Sequence, residues 1–253
     1  MADLFRLDGK TAVVTGASSG LGRHLSSVLA SQGARVALAA RRVDRLRAAV
    51  KEIESAGGTA LAVPLDVGAS CSFSRIVDQI EAALGPIEIL INNAGSHLEQ
   101  AIIKSQPEDY DRTMNTNLRG PFFLSAEIGK RMIDRKIEGR IVNIASDSGL
   151  RASPNSAAYS VAKAGVIHMT KSMALEWARY GINVNAICPG FMDSEMSRAF
   201  AQSEAGLKVL SRLPRRRVGN PSDFDTMVLA LVAPASRFTT GAIIAVDDAI
   251  SVA

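Results

Sequence analysis

The run Thr11-Ala-Val-Val-Thr15-Gly-Ala-Ser-Ser-Gly-Leu-Gly22 decides the fold. Thr11 to Val14 reads as a buried strand, and Leu21 to Leu29 carries apolar residues at helical spacing. Between them lies a glycine-rich turn. Strand, turn and helix in that order are the context a dinucleotide-binding loop requires. Gly16 is expected to allow the tight turn, Gly20 to let the backbone approach a pyrophosphate, and Gly22 to let the helix pack on the strand. Ser18, Ser19 and Leu21 complete the loop, whose amides would face the phosphates at the positive end of the helix dipole. The glycines follow G-x-x-x-G-x-G, with one more loop residue than the common G-x-G-x-x-G.

Outward from this loop, apolar runs recur between helical patterns: Arg35 to Ala40, Ala60 to Leu65, Ile87 to Ile91 and Arg140 to Ala145. The alternation continues to Val246 without a linker, repeat or low-complexity stretch. It predicts an α/β fold: a single doubly wound domain over residues 1–253, with a parallel sheet flanked by helices on both faces. An apolar content of 47% suffices for a large core.

The strand ends carry the chemistry. An acidic residue after the second strand would bind ribose hydroxyls and select NAD. Ala40 stands there instead, followed by Arg41 and Arg42. Guanidinium groups suit a phosphate monoester, so NADP(H) is the expected cofactor and NAD(H) the alternative. Asp66 and Val67 end the third strand and are placed to meet the adenine. Asn92-Asn-Ala-Gly95 ends the fourth, and the small residues near Asn93, Ala94 and Gly95 would let a cofactor lie against backbone.

Tyr159 and Lys163 stand four residues apart in Tyr-Ser-Val-Ala-Lys, with Ser146 thirteen residues before the tyrosine. Residues i and i+4 share a helix face. A free phenol has a pKa of about 10, and the Lys163 cation is expected to lower that of Tyr159. Ser146 follows the fifth apolar run, at the strand end where such folds bind ligands. Together they suggest a carbonyl oxygen held by Ser146 and Tyr159, with Tyr159 supplying the proton.

Taken together, these motifs resemble the short-chain dehydrogenase/reductase family. The likeness covers nearly the whole chain and includes Asn117 in Asn-Thr-Asn-Leu and Pro189-Gly190. It implies a Rossmann-type fold, an oxidoreductase acting on CH–OH or carbonyl groups, and a catalytic tetrad of Asn117, Ser146, Tyr159 and Lys163. Lys163 would also hold the nicotinamide ribose, and Asn117 would keep a water linked to it. Pro189, Gly190 and Ser194 would lie near the nicotinamide carboxamide. The resemblance further implies a substrate lid at about 192–213 and a homotetramer. Helices spanning about 108–135 and 157–180 would form one interface of the tetramer, and the C-terminal region another. Where relatives end the last strand in Asp-Gly-Gly, this chain has Asp247-Asp248-Ala249. Alanine tolerates a left-handed backbone poorly, so a changed turn is expected there.

The expected activity is NADPH-dependent reduction of a ketone or aldehyde, run in either direction, on an apolar or aromatic small molecule. His97, Ser148, Met192 and Met196 are the candidate substrate contacts, with Phe200 adding to the apolar wall. Alternatives are a 3-oxoacyl thioester reductase, an NAD-dependent alcohol or sugar dehydrogenase, and a non-catalytic nucleotide sensor. Carrier-protein docking in relatives uses a basic residue where this chain has Tyr180, which argues against a carrier-bound thioester.

Lys+Arg 29 against Asp+Glu 25 is a mild excess, and aromatic residues are 5%. A nucleic-acid site would need a longer basic face with aromatic partners. Arg215-Arg-Arg217 is the one dense basic cluster and reads as a solvated loop. Cys71 and Cys188 suggest no disulfide framework, and the three histidines have no metal-ligand spacing. With neither a signal-like start nor an eighteen-residue apolar run, a cytoplasmic protein off the membrane is expected.

Overall fold

A computed structural model describes residues 4–69, 73–193, 195 and 203–253. The candidate residues Cys71, Ser194, Met196 and Phe200 lie outside that set. Seven strands form one parallel sheet: β1 Thr11–Thr15, β2 Arg35–Ala40, β3 Thr59–Pro64, β4 Ile87–Asn92, β5 Arg140–Ile144, β6 Asn183–Pro189 and β7 Ile243–Val246. Their order is β3-β2-β1-β4-β5-β6-β7. The order reverses direction between β1 and β4, and a crevice opens at the carboxyl ends of strands at such a switch point.

The helices are α1 Gly20–Ser31, α2 Val43–Ser55, α3 Phe73–Leu84, α4 Pro107–Met114, α5 Gly120–Asp134, α6 Ala157–Trp177, α7 Glu204–Arg212 and α8 Asp225–Val232. Strand side chains alternate between faces. Ala12 and Val14 pack with Leu25, Leu46 and Val228 from α1, α2 and α8. Val13 packs on the other face with Val77, Leu124 and Val166 from α3, α5 and α6. Val166, Met169 and Met173 are all core residues. Among the described residues no helix is long and apolar enough to cross a membrane.

The long helix expected over 108–135 is interrupted. α4 and α5 are joined by a π-helical turn, Asn115–Arg119. Pro121, at the start of α5, has no N–H to give the carbonyl of Asn117, and its ring crowds that group. The wider turn accommodates both effects. The second helix is α-helical to Trp177, tightens to a 3₁₀ turn and stops at Gly181 with φ 73°.

The C-terminal turn departs from expectation in the opposite sense. Asp248 and Ala249 both take left-handed backbone, with φ 52° and 69°. Asp247 holds the turn by accepting from Ala249 N at 3.1 Å and Ser251 N at 2.8 Å. Arg217 pairs with Asp248 and, at 3.0 Å, with Asp223. The basic cluster therefore ties down the tail rather than lying free in solvent.

Candidate active site

A cleft of about 1200 Å³ opens over the carboxyl ends of the strands. Gly16, Ser18, Ser19, Gly20, Leu21, Arg41, Arg42, Asp66, Val67, Asn93, Ala94, Gly95, Pro189 and Gly190 line it. So do Ser146, Tyr159, Lys163, His97, Ser148 and Met192. Gly22 and Asn117 are placed one layer behind it.

The loop after β1 is built for close approach. Gly16 and Gly20 have φ of 68° and 52°. A Cβ on Gly22 would meet Asn93 Nδ2 at 2.4 Å and the Gly16 carbonyl oxygen at 2.6 Å. Only glycine fits, and the helix start is thereby drawn against the β1 turn. Thr15 Oγ1 accepts from the N–H groups of both Asn93 and Ala94, each at 3.0 Å, so the loops after β1 and β4 are tied together. Ser19 caps α1 without a side-chain bond to the helix amides, and no acidic residue occupies the first turn. The amides of a helix start with no acidic residue in its first turn fit a dinucleotide pyrophosphate.

Arg42 reaches Ser18 Oγ through Nε at 3.2 Å, Ser19 Oγ through Nη2 at 2.7 Å and Glu195 Oε2 through Nη1 at 2.8 Å. Arg45 pairs with the same carboxylate. The two guanidiniums hold the Glu195 pKa down to about 2. Sequence reasoning missed Arg45 and Glu195. Arg45 was findable as the residue one helical turn beyond Arg42; Glu195 carried no local signal. Arg41 lines the cleft and, among the described residues, has no ion-pair partner.

Asn117 is fully buried and clamps the loop after β4. Its Nδ2 donates to the carbonyls of Ser96 at 2.8 Å and Thr113 at 2.9 Å, and its Oδ1 accepts from Ser96 N at 3.1 Å. Both amide hydrogens are committed, leaving only acceptor capacity for a water. Behind the strand ends, Asn92 Nδ2 bonds Ser125 Oγ and Asn143 Oδ1, both at 2.8 Å, and Asn143 Nδ2 bonds Thr170 Oγ1 at 2.9 Å. This buried chain joins β4, β5, α5 and α6, and no local motif announced it.

Ser146, Tyr159 and Lys163 come together as expected, but their electrostatics differ. Lys163 Nζ donates to the Ile144 carbonyl at 2.7 Å and lies 5.6 Å from the Tyr159 ring centre. Burial lowers the Lys163 pKa to about 8. The expected lowering of Tyr159 does not occur in the protein alone. Burial pushes it up to about 12, a hydrogen bond with Ser146 works against this, and the Asp147 charge adds to it. Removal of the phenol from water outweighs the stabilising contact from Ser146.

His97 is more than a loop residue. Its Nε2 lies 2.8 Å from Ser156 Oγ, and its ring meets that of Tyr159 edge-on with centroids 4.9 Å apart. Burial lowers its pKa, favouring the neutral ring. Ser148 Oγ lies 3.3 Å from Ser153 Oγ. Phe191, Met192, Leu213 and Ile250 are apolar lining residues, whereas Glu99, Asp147, Ser148, Arg151, Ser153 and Ser156 are polar ones. Among the described residues, no cluster of His, Cys, Asp and Glu could hold a metal.

Residues 10–205 match the family described as short chain dehydrogenase. The 3-oxoacyl-acyl-carrier-protein reductase of Thermotoga maritima is 34% identical over 242 residues, covering 96% of this chain and 98% of that protein. Gluconate 5-dehydrogenase of Gluconobacter oxydans is 36% identical over 251 residues, covering 99% and 98%. A crystal structure of a variant of actinorhodin polyketide ketoreductase with NADPH superposes with a TM-score of 0.90 at 33% identity, covering 99% of each chain.

Proposed function

Because the chain belongs to the short-chain dehydrogenase family, we propose that it interconverts a carbonyl compound and its alcohol with NADP(H). The convergence of Ser146, Tyr159 and Lys163 on one cleft beside the phosphate loop carries this reading. Hydride transfer is the chemistry a bound nicotinamide supplies. Ser146 donates a hydrogen bond to the substrate oxygen. Tyr159 gives its proton to that oxygen in reduction and takes it back in oxidation. Lys163, still largely protonated at neutral pH, places positive charge beneath the phenol as negative charge develops. Asn117 holds the loop that carries Gly95 against Lys163.

Arg42 and Arg45 favour a 2′-phosphate, in keeping with the NADPH-bound ketoreductase. Exposed Phe122, Phe123, Val161 and Leu175 on α5 and α6 support a homotetramer built on these helices.

The polar wall supplied by the loop after β5 supports a substrate different from the apolar ketone expected at first. Ser148, Ser153, Ser156 and His97 suit hydroxyl groups, and Arg151 suits a carboxylate. A hydroxylated keto acid is the favoured substrate class, as the name of the gluconate relative also suggests. NADPH consumption with 5-ketogluconate, acetoacetyl-coenzyme A and acetophenone tests it. Fastest turnover of the keto acid is expected. Preference for acetophenone would restore the apolar reading, and tight NADPH binding without turnover of any probe would favour a nucleotide sensor.

A further inference from the structure

Asp147 follows the proposed catalytic serine directly, lines the same cleft and is largely withdrawn from solvent. Ser146 Oγ donates to Asp147 Oδ1 at 3.0 Å. The Ser148 N–H reaches Asp147 Oδ1 at 2.8 Å and Ser146 Oγ at 3.1 Å. A hydroxyl has one proton and two lone pairs. Here the proton is directed to Asp147 and one lone pair takes a backbone N–H. The other lone pair takes no donor among the described residues. Oγ is thus fixed from two sides, whereas an unassisted serine samples three staggered rotamers. Arg151 Nη2 stands 3.8 Å from the second carboxylate oxygen, tempering the charge beside the reacting centre.

We propose that Asp147 is a positioning residue: its carboxylate, with the Ser148 N–H, holds the Ser146 side chain in one rotamer, so that Oγ is in place for the carbonyl oxygen when substrate arrives. The inference rests on the catalytic role of Ser146 proposed above. It explains why a carboxylate sits next to a centre that must stabilise a developing oxyanion, where a negative charge is otherwise unfavourable. The proton held by Asp147 is handed to the substrate oxygen by rotation about the Cβ–Oγ bond alone, with no movement of the serine backbone.

A purely structural part for Asp147, as the first residue of the short turn Asp147–Gly149, is separable from this one. The test is a double-mutant cycle read by steady-state NADPH oxidation with the fastest of the three probes, alongside NADPH binding by fluorescence. Asp147→Ala should lower kcat by about tenfold with KM changed far less, the size expected for one lost charged hydrogen bond. Asp147→Asn keeps a neutral acceptor at Oδ1 and should recover most of that loss. In a Ser146→Ala background, Asp147→Ala should have little further effect, because the group it orients is gone. NADPH affinity should be the same throughout. Equal losses in both backgrounds, or an Asn variant no better than Ala, would overturn the proposal and leave Asp147 a structural residue. If Ser146→Ala itself kept full kcat, the catalytic role of Ser146 would fall, and this inference with it.

Discussion

Glu195 and Arg42 form a 2.8 Å ion pair, and the same guanidinium holds Ser19 through its other terminal nitrogen at 2.7 Å. One arginine thereby links the segment after β6 to the loop between β1 and α1. A carboxylate and a phosphate monoester offer the same charge and similar geometry to a guanidinium fork. Glu195 is therefore expected to compete with the 2′-phosphate for Arg42 and Arg45.

Glu195→Gln should tighten NADPH binding several-fold and leave NADH nearly unchanged, as measured by fluorescence titration. Arg42→Ala should remove most of the discrimination between the two cofactors. Unaltered selectivity in both variants would place the phosphate elsewhere. The Glu195 pKa is depressed from 4.5 to about 2, so the pair is fully formed above pH 4.5 and fades only as pH falls toward 2. The Gln effect should therefore be the same at pH 6 and pH 8.

Tyr159→Phe removes the proposed proton donor but keeps the ring that packs on His97. General acid–base catalysis is worth about 10²–10⁴-fold, and kcat should fall by that order with NADPH affinity retained. Undiminished turnover would refute the mechanism.

Lys163 is kept at a cost to the fold. Its pKa is depressed from 10.5 to about 8, so the unfolded chain binds more protons between those values. Stability then rises with pH across that window, and the penalty of the buried ammonium is present in full below pH 8. Lys163→Met should raise the melting temperature at pH 6.5, lose that advantage by pH 10.5, and abolish turnover. A variant equally stabilised at both pH values would show that charge burial is not the cause.

The fold was legible because both of its signals are local. Strand-length apolar runs separated by helical periods survive in any environment, and the glycine loop needs only neighbouring residues. The Tyr159–Lys163 face follows from helical spacing alone. What could not be read was set at a distance. The Tyr159 pKa depends on burial by the whole domain, the Glu195–Arg42 pair joins residues 153 positions apart, and Asn92 meets Ser125 across 33. Pro121 did carry a local sign that the helix containing Asn117 would be interrupted, because a proline within a helical pattern disrupts the preceding turn.

Ala249 is an exposed alanine at φ 69°. The left-handed region costs a residue with a Cβ about 1–2 kcal/mol. Ala249→Gly should recover about 1 kcal/mol of that strain, less the added flexibility of the unfolded chain. Chemical denaturation reads the change, and a loss of stability would mean that the Cβ makes a contact outweighing the strain.

Because β1 lies between β2 and β4, one of its edges stays open during synthesis until Ile87 and the residues after it have left the ribosome. At about 5–20 residues per second that interval lasts seconds, long compared with collapse of a short chain. Over it, the glycine loop after β1 lacks Asn93 and Ala94, which Thr15 will later grip. Parallel partners cannot close as hairpins, so a nascent half-sheet with an unpaired apolar edge is the species most prone to aggregate. Holding chaperones should engage this chain mainly before its midpoint is made, and fragments ending ahead of β4 should be recovered as inclusion bodies rather than as a free nucleotide-binding module.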